Sequence, residues 1–241
     1  STPILFALGG LAGLVILISG YRMTGLSDQI ADRTGLGEAL VGAALLGAAT
    51  SMSGTVVSLT SALDGRASLA FSNGIGGIAA QTAFLAFADM IYRKANLEHA
   101  AADLANVFQA GLLLLLLTVP LIAFTAPEIT FWGIHPASVA LLVFYGYGMH
   151  ATARLRAEPM WRPVSTKETR TDEPEDESEA EKSASALILP FLLLLVVMAL
   201  AGWSVARIAA EVSDRFELSD TVVGATMTAV LTSLPELVTT L

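Results

Sequence analysis

The sequence predicts an all-α, polytopic membrane protein, on three observations. Of 241 residues, 54% are hydrophobic and only 15% charged, with positive mean hydropathy, which is too apolar for a soluble domain of this length. Runs of 17 or more apolar or small residues recur along the chain. The period-2 alternation of membrane barrel strands is absent. In hydrocarbon every backbone N–H and C=O must be satisfied within the protein, so such runs become helices.

Seven spans of the length needed to cross about 30 Å of hydrocarbon are expected, at residues 4–20, 38–62, 69–91, 106–126, 131–151, 185–205 and 221–241. The first has the length of a signal peptide but lacks a basic leading stretch and a small-residue cleavage site, so it reads as a true span. Span two carries a polar seam, Thr50, Ser51, Ser53, Thr55, Ser58, Thr60 and Ser61, thinned by Gly47 and Gly54. Span three holds Ser72-Asn73-Gly74-Ile75-Gly76-Gly77, then Gln81, which offers amide oxygens and close helix packing. Spans four and five follow from length and apolarity alone.

Residues 152–184 break the pattern. This stretch holds nine acids (Glu158, Glu168, Asp172, Glu173, Glu175, Asp176, Glu177, Glu179, Glu181) and six bases, and is nearly devoid of apolar residues after Val164. It reads as a solvated, flexible linker without a core. Calcium sensing by the Asp172–Glu181 cluster finds no EF-hand spacing to support it. The linker divides a first membrane half, 1–151, from the start of a second, 185–241. Lys and Arg number ten on loops one, three and five and three on the others (Arg66, Arg207, Arg215), which puts the odd loops and the linker in the cytoplasm and the amino terminus outside. A cell (inner) membrane location is expected.

The chain also matches itself. Shifted by 182 positions, Asp32-Arg33 falls on Asp214-Arg215, Leu36 on Leu218, Val41-Gly42-Ala43 on Val223-Gly224-Ala225, and Thr50-Ser51 on Thr232-Ser233. Gly20-Tyr21 falls on Gly202-Trp203, where each apolar stretch gives way to charge. Each copy is read as helix, polar loop, helix, the first repeat covering about 37–91 and the second continuing beyond Leu241. Five spans separate equivalents, and an odd offset inverts the second copy across the membrane. Inverted repeats are the recurring plan of secondary transporters, with the substrate site near the midplane.

The chemistry concentrates at Thr232-Ser233-Leu234-Pro235-Glu236. A carboxylate inside an apolar span costs roughly 2.5–3.5 kcal/mol and usually faces a cavity or ion path. Pro235 removes a backbone donor and kinks or opens the helix, freeing the Leu231 carbonyl. Glu236, that carbonyl and the Thr232 and Ser233 hydroxyls form an oxygen set suited to a hard cation. A Pro kink with a neutral, hydrogen-bonded Glu is the plainer alternative. At the same offset Gly54 falls on Glu236, so the first copy has the seam without the charge.

Val223-Gly224-Ala225-Thr226 followed by Leu231-Thr232-Ser233-Leu234-Pro235-Glu236-Leu237 resembles the second α-repeat signature of the sodium/calcium exchanger family, in the calcium/cation antiporter superfamily. Gly42, Thr50-Ser51, Gly65 and Asn73-Gly74-Ile75-Gly76 keep the order of that family's first α-repeat. The resemblance implies an inverted pair joined by a cytoplasmic loop. It also implies cation ligands at Thr50, Ser51 and Asn73 from the first repeat and at Thr232, Ser233 and Glu236 from the second. Ser53 and Gly54 stand where the family has Pro and Glu, Gly77 where it has Ser, and Gln81 near where a second Asn is usual. Loss of one carboxylate leaves a divalent ion less well balanced in a low-dielectric site.

The expected function is a secondary antiporter exchanging calcium or another cation for sodium or proton by alternating access. The alternative is a non-transporting membrane scaffold or sensor on the same fold. His99, His135 and His150 lack ligand spacing, cysteine is absent, and there is no Ser/His/Asp set, P-loop or dinucleotide fingerprint, so an enzyme is not expected. The transported cations and the lipid bilayer are the expected partners, with no bound cofactor and no nucleic acid.

Overall fold

A computed structural model of the chain describes residues 1–34, 46–93, 95–127, 129–164, 166–169 and 184–240. Apart from an isolated bridge between Phe131 and Ile134, its regular elements among the described residues are helices. They are α1 (Thr2–Thr34), α2 (Met52–Leu63), α3 (Ala67–Ile91), α4 (Leu104–Thr125), α5 (Pro136–Ala157), α6 (Ala184–Phe216), α7 (Asp220–Thr232) and α8 (Leu234–Thr240). One further helical turn, Leu97–Ala100, precedes α4.

Among the described residues four helices are long and apolar enough to cross a membrane: α3, α4, Thr2–Ser27 within α1 and Ala186–Phe216 within α6. The bent pair α7 and α8 makes a fifth if counted as one span. The protein is therefore all-helical in its described residues and polytopic. The expected span 38–62 is represented by helical residues 46–50 and by α2, a shorter apolar helix, while its first part lies outside the described residues. The acidic cluster Asp172–Glu181 lies outside them too.

Two expected helix ends are corrected. The sequence places polar loops after Gly20 and Val205, yet α1 and α6 each run on to 33 residues. Hydropathy marks where a helix leaves hydrocarbon, and Arg22, Thr24 and Gln29, or Arg207 and Glu211, do not stop a helix. At 1.5 Å per residue each is about 50 Å long, well beyond the 30 Å of hydrocarbon.

By packing, the chain falls into two units, residues 1–91 with 173–241, and residues 92–172. In the first, α1 lies antiparallel along α6, as the Phe6–Phe216 ring contact at 5.9 Å shows. The reason is in the spacing: Ala12, Ile16 and Met23 of α1 face Leu187, Phe191, Met198, Ala201, Val205, Ile208 and Val212 of α6, all at helical intervals and buried. Helix α2 packs on α6 and α3, α7 on α3, and α8 on α1 and α3. Within a membrane such contacts rest on close van der Waals fit. Gly20 lies against the Pro235 ring and Gly202 against the Ser53 backbone, each too close to admit a Cβ.

One end of this unit carries ion pairs. The turn between α2 and α3, with Gly65 at φ 77°, presents Arg66 to Asp220 at 2.9 Å and to Asp214, while Asp64 receives Arg207 at 2.8 Å. Each bond ties the α2–α3 turn to the α6–α7 region.

In the second unit α4 and α5 pack together, with Gly148 against Leu112. Helix α5 starts later than the expected span at 131, because Trp132 and Gly133 adopt φ 51° and 77° in a tight turn. His135 then caps the helix, its Nδ1 accepting from the Ala137 N–H at 3.1 Å.

Candidate functional site

Two helix breaks build the site. Ser233, at φ −92° and ψ 4°, separates α7 from α8, which meet at 48°. Pro235 offers no N–H to the Leu231 carbonyl, which accounts for the break. Ser51, at φ −77° and ψ −3°, interrupts the helix between residue 50 and α2 without any proline. The bonding around the two is alike: Ser51 N donates to Gly47 O and Thr55 N to Ser51 O, while Ser233 N donates to Ala229 O and Leu237 N to Ser233 O.

Glu236 sits in the first turn of α8, partly buried, with its Oε2 buried and lacking a hydrogen-bond partner among the described residues. The Thr50 side chain neighbours its carboxyl group. Thr50 and Thr232 are buried, and each donates its hydroxyl proton to a carbonyl one turn back, Thr50 to Gly47 at 3.4 Å and Thr232 to Thr228 at 2.9 Å. The Thr232 proton is thereby committed to its helix and its oxygen lone pairs remain for another partner, whereas the long Thr50 contact leaves that hydroxyl able to donate to the Glu236 carboxyl group. Ser233 is buried and close to Gly77, whereas Ser51 is exposed.

Asn73 occupies a second polar cluster. Its Nδ2 donates to the Gly54 carbonyl at 3.1 Å and the Ser58 hydroxyl at 3.0 Å, and its Oδ1 accepts from the Thr228 hydroxyl at 2.7 Å. The Ser53 hydroxyl donates to the Thr232 carbonyl at 3.4 Å. Of the six residues singled out from sequence, then, Thr50 and Glu236 meet directly. Thr232 and Asn73 converge on Gly54, Ser233 lies beside Gly77, and Ser51 stands outside the buried set.

Sequence reasoning passed over Thr228. It is fully buried, and its place one turn before Thr232, on the same helix face, was the available signal. Helix α7 reaches it through a π turn, Gly224–Thr228, a rare feature that often marks functional sites. Gly224 against Ser72 and Leu69, and Gly76 against Ala225, bring the α7 and α3 backbones close enough for so short a side chain to bridge them.

Among the described residues no three His, Cys, Asp or Glu side chains converge; the donors gathered here are one carboxylate with hydroxyl, amide and carbonyl oxygens. Such oxygens suit hard cations.

Among curated proteins and solved structures nothing matches the chain. The family model described as sodium/calcium exchanger protein matches residues 4–151 and 186–241, leaving out the whole of the acidic linker. With that match over most of its length, the chain belongs to the sodium/calcium exchanger protein family.

Proposed function

We propose that this protein is a secondary active cation antiporter that binds its ion at Glu236 and exchanges calcium or another cation for sodium or proton by alternating access. The family is one of cation transporters rather than enzymes. The observation that carries the reading is the buried, unpartnered Oε2 of Glu236, beside Thr50 at a break in a membrane helix. A carboxyl oxygen left without a partner in such surroundings costs about 1–3 kcal/mol or more, and a proton or cation removes that cost.

The inverted repeat belongs to this proposal. Helices α1 and α6 have equal length and start 182 residues apart, as do the breaks at Ser51 and Ser233. The contact of Gly20 with Pro235 becomes, with the copies exchanged, that of Gly202 with Ser53. Glu236 beside Thr50 likewise becomes Gly54 beside Thr232. A two-fold relation between the halves produces this exchange, and two halves that can trade environments are what alternating access requires. On the Lys and Arg count, the amino terminus is outside and the acidic linker cytoplasmic.

The test is radiolabelled calcium or sodium uptake into proteoliposomes, driven by an outward sodium or proton gradient. Glu236→Gln keeps the shape, removes the charge and is expected to abolish exchange. A Glu236→Gln protein that transports like the parent removes the site assignment, and a parent that exchanges none of these ions removes the antiporter reading.

A further inference from the structure

We propose that Thr228 is a positioning residue for the cation site, acting through Asn73 to set where Thr50 meets Glu236. This rests on the reading of Glu236 as the ion site. The Thr228 hydroxyl donates to Asn73 Oδ1 at 2.7 Å, and Asn73 Nδ2 donates to Gly54 O and Ser58 Oγ, so one amide ties α7 to α3 and α3 to α2. The amide orientation follows from chemistry: the Gly54 carbonyl only accepts, so it takes the NH2 end, and the carbonyl end is left to the Thr228 hydroxyl. Thr50 lies four residues before Gly54, just across the break at Ser51, and Glu236 eight residues after Thr228, just across the break at Ser233. The tie between Gly54 and Thr228 therefore fixes the approach of one to the other.

The π turn makes this tie possible. At its start Asp220 is held by Arg66, in the turn that leads into α3, its Oδ1 accepting from the guanidinium at 2.9 Å. Eight residues of unbroken α-helix from Asp220 to Thr228 turn the chain about 80° beyond two full turns, which aims Thr228 away from Asn73. The wider turn takes up the extra residue and returns Thr228 to the α3 face. Thr228 also has Gly224 O within 2.9 Å, so its hydroxyl has an acceptor on its own helix and gives the shorter bond to Asn73.

Equilibrium binding of radiolabelled sodium and calcium to the purified full chain in detergent tests the proposal. Thr228→Val, which keeps the shape and loses the hydroxyl, is expected to weaken binding of the ion the parent takes by about three- to tenfold, the span of one hydrogen bond. Thr228→Ser, which keeps the hydroxyl, is expected to restore it. Binding by Thr228→Val equal to the parent's, or Thr228→Ser as impaired as Thr228→Val, overturns the positioning role. Should Thr228→Val not fold, Ser58→Ala carries the test: it removes one acceptor from Asn73 and is expected to weaken binding, and unchanged binding overturns the role. Glu236→Gln separates the two ideas. Loss of binding there with normal binding in Thr228→Val removes only the role of Thr228, whereas normal binding in Glu236→Gln removes the site itself.

Discussion

Gly54→Glu places a second carboxylate opposite the first, and the structure sets what it should do. A Cβ on Gly54 lies 3.5 Å from Thr232 Oγ1 and 3.9 Å from Asn73 Nδ2, ordinary contact distances, so the new side chain begins without a clash. Replacing Gly in the interior of α2 also gains about 0.5–1 kcal/mol of helix stability. The carboxylate enters beside Thr232 as Glu236 lies beside Thr50. A unit charge about 5 Å from the bound cation, at an effective dielectric of about 20, contributes roughly 3 kcal/mol per unit of cation charge. Sodium gains this once and calcium twice, while repulsion between the two carboxylates is common to both and cancels in the ratio. Calcium selectivity over sodium should therefore rise by about 3 kcal/mol, on the order of a hundredfold. Competition of sodium chloride against radiolabelled calcium, on purified parent and variant, measures that ratio. A folded Gly54→Glu protein with the parent's ratio would refute the reasoning, because the charge would then lie outside the ion's reach.

Two further outcomes follow from packing and charge. Gly20→Ala forces a methyl into the Pro235 ring and Gly202→Ala forces one into the Ser53 backbone; each should lower stability by about 1–3 kcal/mol in detergent melting, while Gly10→Ala, with nothing within 4 Å, should not. Similar losses in the first two are expected if the halves are related by a two-fold exchange. Arg66→Gln leaves Asp214 and Asp220 without their shared cation and should lower Tm, with a penalty that shrinks as salt is raised; a salt-independent loss would mean the side chain acts by packing instead.

What could be read from sequence divides along physical lines. Membrane class follows from composition and run length, which depend on solvent alone. The break before Glu236 was legible because proline imposes it locally, whereas the place of the one at Ser51 was not, since nothing in Thr50-Ser51-Met52 announces a turn. The ends of α1 and α6 were missed because hydropathy reports the membrane boundary while helices persist through polar residues beyond it. The π turn was illegible because its cause is tertiary, the simultaneous demand that Asp220 and Thr228 face α3.

Asn73 shows the same limit from the other side. Its residue type pointed to an amide oxygen for a cation, but the donors and acceptors around an amide come from other helices, and here Gly54, Ser58 and Thr228 engage both of its ends. An ion drawing on its oxygen must share it with the Thr228 hydroxyl, whereas Glu236 keeps a carboxyl oxygen that no group among the described residues uses. The bonding of these two residues is thus asymmetric: Asn73 is tied into the scaffold at both ends of its amide, and Glu236 keeps an oxygen free to take charge. A protein built this way should have its ion affinity set mainly at Glu236 and its site geometry set mainly at Asn73. That is why charge removal at Glu236 and hydroxyl removal at Thr228 should differ in kind, the first abolishing binding and the second scaling it.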